Sequence, residues 1–159
     1  MEIKESTYTR YISLFIRLLV GSIFIVSSIS KLPLQSKFIE VVQSYQLLPD
    51  LMATAYGFAL PWVELLIGCY LFLGILIKPG AIVTILLGIS FMVANISAIM
   101  GNEYYCPDCF GEIFPLTVFQ AISIDIFIII AAVFLILVTG KKEILSFDSW
   151  FAYKFSNTR

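Results

Sequence analysis

Residues 116–139, LTVFQAISIDIFIIIAAVFLILVT, decide the fold of this chain because they form one long apolar run. A helix rises 1.5 Å per residue, so about 20 apolar residues cross the hydrocarbon core of a bilayer. Asp125 is the only charged side chain in the run. The run therefore predicts a transmembrane helix.

Three further apolar runs precede it, over about residues 11–29, 55–77 and 80–100. The composition agrees, since 60% of the 159 residues are hydrophobic, 13% are charged and the mean hydropathy is +0.96. We expect one all-α domain over residues 1–159, a four-helix bundle in a lipid bilayer, with a tight hairpin at Lys78-Pro79-Gly80. A net charge of −1 without a basic tract argues against nucleic-acid binding.

The basic residues predict how the bundle is oriented in the membrane. Four spans place both termini and Lys78 on one side, and the loops around Lys31 and Lys37 on the other. The first side holds most of the cations: Lys4, Arg10, Lys78, Lys141, Lys142, Lys154 and Arg159. The positive-inside rule therefore predicts cytoplasmic termini in a bacterial cytoplasmic (inner) membrane, with the loop between the third and fourth spans facing outward.

The outward loop contains the motif Cys106-Pro-Asp-Cys109. Two thiols at this spacing can form and open a disulfide, and disulfides persist outside the cytoplasm. Asp108 opposes thiolate formation at Cys109, so we expect Cys106 to be the nucleophile and Cys109 the resolving thiol. A structural disulfide is the alternative, although such a short loop constrains the unfolded chain little.

Three ionisable side chains lie within the predicted spans: Arg17, Glu64 and Asp125. Charges inside a membrane are costly, so each needs a partner or a function. One hypothesis is an ion pair between Arg17 and Glu64 that holds the first span to the second. A second is that Glu64 or Asp125 takes up and releases protons during a redox step, and a third is ligand binding.

Neutral polar and aromatic side chains near the outer ends of the spans suggest a ligand site. Asn95 and Gln120 could form hydrogen bonds between helices, or Asn95 could donate to the carbonyl of a quinone. Trp62, with Phe58 and Phe91, could supply the apolar wall of such a cofactor site.

The connection from Lys31 to Asp50 is too long for a hairpin and shows helical periodicity. We expect an amphipathic helix along the outer interface. Its apolar positions are Leu34, Phe38, Val41, Val42 and Tyr45.

A metal site is not expected, because the chain has no His and one CxxC motif. The third thiol, Cys69, lies about 21 Å from the outer edge on a helical estimate. It is therefore too deep to bond with the other two, and we interpret it as an apolar filler.

The order of these residues resembles that of DoxX-like membrane proteins, most closely the MauE branch, named for methylamine utilisation. The similarity covers about residues 10–140 and rests on a series of short motifs: Arg17, Lys31-Leu32, Phe38, Tyr45, Leu48-Pro49, Pro61-Trp-Val-Glu64, Gly68 and Cys109-Phe-Gly after Cys106. It implies a four-helix membrane bundle, akin in plan to the quinone-coupled vitamin K epoxide reductase, that acts with a periplasmic thioredoxin-like protein in disulfide chemistry.

The resemblance also implies roles for individual residues. Cys106 and Cys109 would be the redox pair, and Arg17, Lys31 and Glu64 the characteristic polar positions. This chain departs from the branch in having two residues rather than one between its cysteines, so the direction of electron flow cannot be carried over.

Together these observations predict a membrane thiol–disulfide redox protein with a thioredoxin-like partner and a quinone as candidate cofactor. The alternative is a non-catalytic scaffold or assembly subunit of a larger membrane complex, with a structural disulfide. A small carrier is the third hypothesis, and the sequence lacks the duplicated halves typical of carriers.

Overall fold

The computed structural model describes residues 7–100, 105–106 and 116–138. Within these residues, four helices are long and apolar enough to cross a membrane: α1 (Thr7–Lys31), α3 (Asp50–Leu73), α4 (Ile77–Met100) and α5 (Val118–Val138). A 3-10 turn (Leu32–Leu34) and a shorter helix, α2 (Gln35–Ser44), connect α1 to α3. The predicted all-α, four-helix transmembrane fold is therefore confirmed, and the chain is a multi-pass membrane protein.

The bundle consists of two closely packed helix pairs, α1 with α3 and α4 with α5. A Cβ atom added to Gly21 of α1 would lie 2.9 Å from the carbonyl oxygen of Gly68 in α3. In the other pair, a Cβ on Gly88 would lie 2.8 Å from Cγ1 of Ile129. Glycines at these two crossings let the helices approach closely, as small residues commonly do in membrane bundles.

The tight turn between the second and third spans lies at residues 74–76, so its predicted position at Lys78-Pro79-Gly80 was wrong. Gly74 has φ +73° and ends α3 in a Schellman motif, in which the amide of Gly74 donates to Leu71 and that of Ile75 to Tyr70. Pro79 lies in the first turn of α4, where its missing N–H breaks no helical hydrogen bond.

The predicted amphipathic helix in the first connection is α2, which packs against α3. Phe38 is its buried residue, and Val42 and Tyr45 follow on the same face at helical spacing. This apolar face covers the interior of the bundle at the end where α1 terminates.

A two-residue antiparallel ladder precedes α5: β1 (Tyr105–Cys106) pairs with β2 (Leu116–Thr117), and the backbone of Cys106 lies opposite Leu116. Pro107, Asp108 and Cys109 lie outside the described residues, as does the side chain of Cys106.

Thr117 and Gln120 form a capping box at the start of α5. The Thr117 amide donates to Oε1 of Gln120 over 3.0 Å, and the Gln120 amide donates to the Thr117 hydroxyl over 3.4 Å.

Candidate functional site

Glu64 is the centre of a buried polar cluster between α1 and α3. Its Oε1 lies 2.7 Å from the ammonium nitrogen of Lys31, and the hydroxyl of Ser27 donates to Oε2 over 3.2 Å. The side chains of Lys31 and Glu64 are 3% and 0% exposed. Two opposite charges thus satisfy each other in a part of the molecule where an isolated charge would be very costly.

The expected ion pair between Arg17 and Glu64 was wrong, and the direction of helical side chains explains why. Side chains on a helix lean toward its N-terminus, and α1 and α3 run antiparallel. Lys31 at the end of α1 therefore leans back into the bundle and Glu64 leans out to meet it. Arg17 also leans toward the N-terminus of α1, which takes it away from Glu64 to the opposite end of α3, where a Cβ on Gly74 would lie 2.5 Å from its Nη1.

Serine hydroxyls bind this end of α1 to α3. Ser28 donates to the carbonyl oxygen of Pro61 over 2.7 Å, next to the Ser27 contact with Glu64, and Ser30 donates to the Ser27 carbonyl. These serines were not among the site residues predicted from the sequence. Ser27 lies one helical turn before Lys31, so an i,i+4 polar pair inside a span was the signal that could have found it.

A second polar pair joins α4 to α5, since the side-chain amide of Asn95 donates to Oδ2 of Asp125 over 2.8 Å. Both residues are buried. The predicted interhelical hydrogen bond of Asn95 is thereby confirmed, whereas Gln120 is exposed and caps its own helix.

A third polar pair joins α3 to α4. The hydroxyl oxygens of Tyr56 and Ser90 are 2.6 Å apart and share a hydrogen bond in which either can donate. This pair was not predicted from the sequence, because a single Tyr or Ser in a membrane helix is common and carries no charge.

The three polar pairs border a cavity of about 480 Å³ between the two helix pairs. Every member of these pairs lines the cavity except Glu64. Its polar lining consists of Ser27, Lys31, Tyr45, Tyr56, Ser90, Asn95 and Asp125. The rest of the lining is apolar, including Phe24, Phe38, Leu60, Phe91 and Ile128. A few polar groups in an apolar chamber of this volume are typical of a site for a small organic ligand.

Two aromatic rings hold the ammonium group of Lys31 at the edge of the cavity. Its nitrogen lies 4.7 Å from the ring centroid of Phe91 and 5.2 Å from that of Phe38. Because both distances are within the range of cation–π contacts, the rings replace part of the lost hydration of the ammonium group.

The cavity lies at the same end of the bundle as the strand that contains Cys106. Lys31 is the last residue of α1, and Asn95 lies about 8 Å along α4 from the end of that helix at Met100. Asp125 lies about 10 Å along α5 from its start at Val118, which directly follows the strand paired with Cys106. The backbone of Cys106 and the cavity thus lie at one end of the protein.

The remaining predicted site residues lie elsewhere or serve other purposes. Trp62 and Phe58 are exposed on the surface of α3 and are absent from the lining of the cavity, unlike Phe91. Cys69 is a free thiol that is partly buried in α3. Within residues 7–100, 105–106 and 116–138, no three His, Cys, Asp or Glu side chains are grouped to hold a metal ion.

Comparison with known proteins places this architecture in a family. The chain is 33% identical over 156 residues to Protein TlpB of Flavobacterium psychrophilum, an alignment that covers 87% of this chain and 40% of that protein. No solved structure matches the chain. Residues 9–140, which contain all four long helices almost in full, match the family described as methylamine utilisation protein MauE. This match extends over most of the sequence, and the chain belongs to the MauE family.

Proposed function

We propose that this membrane protein exchanges disulfides with a thioredoxin-like protein outside the cytoplasm, through Cys106 and Cys109, and that the cavity connects this exchange to a membrane quinone. The observation that supports the proposal is the position of the cavity. The cavity, with its buried polar groups, lies at the end of the bundle where the strand containing Cys106 pairs with the strand before α5. A thiol pair and a ligand site at one end are the two parts that an electron relay needs.

The proposed reaction balances without any further reactant. When the two thiols form a disulfide, they lose two electrons and two protons, and a quinone gains both to become a quinol. Reduction of the disulfide by a quinol is the reverse reaction. In either direction the thioredoxin-like partner regenerates the starting state of Cys106 and Cys109 by thiol–disulfide exchange through a mixed disulfide.

Two findings support the proposal that the protein acts with a partner. One is its membership of the MauE family, and the other is the greater length of its relative Protein TlpB. This chain spans 40% of the length of Protein TlpB, so the same kind of bundle is joined there to a longer polypeptide. We infer that this bundle, too, acts with a partner of that kind. The wider relationship to DoxX-like proteins, the plan shared with vitamin K epoxide reductase and the outward orientation of the motif stay predictions.

Trapping of a mixed disulfide tests the exchange reaction. In the Cys109→Ser variant, the disulfide between Cys106 and its partner cannot be resolved, so a higher-mass band is expected on non-reducing gels of membranes. Cys69→Ser is the matched control, because it removes a thiol that lies within α3, and it should leave the band pattern of the wild type. Absence of a Cys106-dependent band, together with full function of the Cys106→Ser/Cys109→Ser variant in cells, would reject the proposal.

Extraction of the purified protein tests the quinone part separately. Organic extracts of protein purified in mild detergent should contain quinone at a molar ratio well above that of the membrane lipids. A quinone content equal to that of bulk membrane lipid would remove the electron acceptor from the proposal and leave the disulfide exchange standing.

A second candidate function is a membrane scaffold that docks a larger complex, with a structural disulfide in its outer loop. The length of Protein TlpB favours this candidate too, since a bundle that forms 40% of a longer protein could serve as its anchor. The reduction potential of the cysteine pair distinguishes the two functions. An exchanging pair should equilibrate near the potential of thioredoxin, about −270 mV, and a structural disulfide should lie below about −300 mV.

A further inference from the structure

We propose that Asp125 exchanges a proton with the head group of a quinone bound in the cavity, and that Asn95 positions the carboxyl group for this transfer. This inference rests on the proposed function and assigns roles to residues within the same site. The two carboxyl groups of the membrane spans, Glu64 and Asp125, have different surroundings, and the sequence alone does not show this difference.

Glu64 is held in its ion pair with Lys31. Lys31 and Ser27 bind its two carboxyl oxygens, and Glu64 is not part of the cavity lining. A ligand in the cavity would therefore meet the Lys31 ammonium group before it met this carboxylate. Glu64 serves to fix Lys31 in place.

Asp125 has the opposite arrangement. It lines the cavity, and the amide of Asn95 binds its Oδ2, which occupies one of the two carboxyl oxygens. Lys31 also interacts electrostatically with Asp125. A carboxyl group that is held in orientation, faces an apolar chamber and has a cation nearby can lose a proton to a ligand and regain it, which is what a general acid–base group must do.

The polar pairs of the cavity suit a ring with an oxygen on each of two opposite edges. Ser90 and Asn95 are five residues apart on α4, which separates the two pairs that they form by about 8 Å along the helix. Whichever hydroxyl of the Tyr56–Ser90 pair accepts their shared hydrogen bond can donate to one ring oxygen, and a protonated Asp125 can donate to the other. Apolar side chains of the same lining, among them Phe24 and Leu60, provide a surface against which a flat ring can pack.

Exposed apolar side chains form part of the wall of the cavity. Leu47, Leu48 and Val93 line the cavity, and each of them is exposed. They belong to the segment after α2 and to α4, the elements that flank the space between the two helix pairs. A ligand with a long hydrocarbon chain could therefore reach the cavity from the lipid and leave its chain between these residues.

The proton steps follow from this arrangement. As the quinone ring gains two electrons from the thiols, Asp125 gives its proton to one ring oxygen and becomes a carboxylate, which the positive charge of Lys31 favours. The other ring oxygen receives a proton along the hydroxyls of Tyr56 and Ser90, each of which accepts one proton as it gives another. The two protons released by the thiols at the same end of the bundle restore Asp125 and the hydroxyl pair. Oxidation of a quinol runs these steps in reverse.

The first experiment measures binding without thiol chemistry. Decylubiquinone is titrated calorimetrically into purified Cys106→Ser/Cys109→Ser protein, and the same protein is studied with Ala94→Phe or Ala59→Phe added. Ala94 lines the cavity, whereas Ala59 is exposed on α3. Ala94→Phe should weaken binding at least tenfold, and Ala59→Phe should change it less than twofold. Equal binding by the two variants would overturn the cavity as the quinone site.

The second experiment measures proton transfer in protein with intact cysteines. The protein is reduced, freed of reductant and mixed with decylubiquinone, and loss of quinone absorbance gives a single-turnover rate. Asp125→Asn should lower this rate about 100-fold while binding stays within threefold, because general acid–base groups contribute roughly 10²–10⁴-fold. Asp125→Glu should retain at least a tenth of the wild-type rate. An Asp125→Asn protein that reacts at the wild-type rate would overturn the proton role, as would one that loses binding and rate together.

The role of Asn95 has its own measurement. Asn95→Ala should lower the single-turnover rate while leaving decylubiquinone binding within threefold, and Asn95→Gln should recover part of the rate because it restores an amide donor. An unchanged rate in Asn95→Ala would overturn the positioning role. Since the binding experiment uses protein without Cys106 and Cys109, failure of disulfide exchange with a partner would leave its result unaffected.

Discussion

The ammonium nitrogen of Lys31 lies 2.7 Å from Oε1 of Glu64, although Lys31 is the last residue of α1 and Glu64 lies well within α3. A lysine at the end of a membrane helix commonly extends toward the water. This one leans toward the N-terminus of its helix, into the protein, where Phe38 and Phe91 flank its charged group. The result is a fixed positive charge beside the cavity.

The first prediction concerns this ion pair. Glu64→Gln and Lys31→Met should each destabilise the folded protein by about 3–5 kcal/mol, because each leaves one buried charge without its partner. The double variant should be more stable than either single variant. Thermal unfolding in detergent measures these differences, with Glu40→Gln on the exposed side of α2 as the control. A Glu64→Gln protein as stable as the wild type would contradict the prediction.

The second prediction concerns the turn after α3. Gly74→Ala should destabilise the protein by at least 1–2 kcal/mol, because a side chain in the left-handed region costs about that much and its Cβ would collide with the Arg17 guanidinium group. Gly80→Ala is the matched control. Its Cβ would meet Leu71 at an ordinary 3.5 Å, and alanine favours a helix by about 1 kcal/mol over glycine. Equal unfolding temperatures for the two variants would show that the turn does not require glycine.

The third prediction concerns the crossing of α1 and α3. Gly21→Ala would place a Cβ 2.9 Å from the backbone oxygen of Gly68, and a backbone atom cannot move aside as a side chain can. The helices must separate, so we expect a loss of about 1–3 kcal/mol, the usual cost of overpacking. Thermal unfolding of Gly21→Ala and Gly80→Ala in the same detergent checks this. A variant at Gly21 that unfolds at or above the wild-type temperature would refute the close contact.

The fourth prediction concerns Thr84, whose hydroxyl oxygen is buried in α4 with no hydrogen-bond partner among the described residues. Thr84→Val keeps the shape of the side chain and removes this polar group, so it should stabilise the protein by about 1 kcal/mol. Thr54→Val is the comparison, because the Thr54 hydroxyl accepts a hydrogen bond from Gln43 over 2.9 Å and donates to the carbonyl of Asp50. That variant should be less stable than the wild type. If Thr84→Val is less stable than the wild type, the Thr84 hydroxyl has a hydrogen-bond partner in the folded protein, and the prediction is wrong.

The sequence indicated much of the fold because the membrane restricts the possible structures. Length and apolarity were sufficient to predict four spans and an amphipathic helix between the first two. The sequence did not fix where the second span ends and the third begins. Both Gly74 and the Lys78-Pro79-Gly80 segment carry turn signals, and a proline in the first turn of a helix looks the same in sequence as one in a hairpin.

The candidate site could be predicted only in part. The buried polar residues Arg17, Lys31, Glu64, Asn95 and Asp125 were all recognised as unusual, since polar groups in a membrane attract attention whatever their contacts. Their partners were not, except for the interhelical role of Asn95. The Tyr56–Ser90 pair was missed because nothing in the sequence links two neutral residues on different helices.

The sequence by itself therefore determined that this protein spans a membrane as a helical bundle, because hydrophobic length alone decides whether a helix can cross a bilayer. It also supplied the cysteine motif and a small set of polar residues. Only the tertiary structure decided that Glu64 binds Lys31 and that Asp125 lines the cavity. The physical reason is that these choices depend on how far α1 and α4 are shifted and rotated against their neighbours, and packing at Gly21, Gly68 and Gly88 sets those positions.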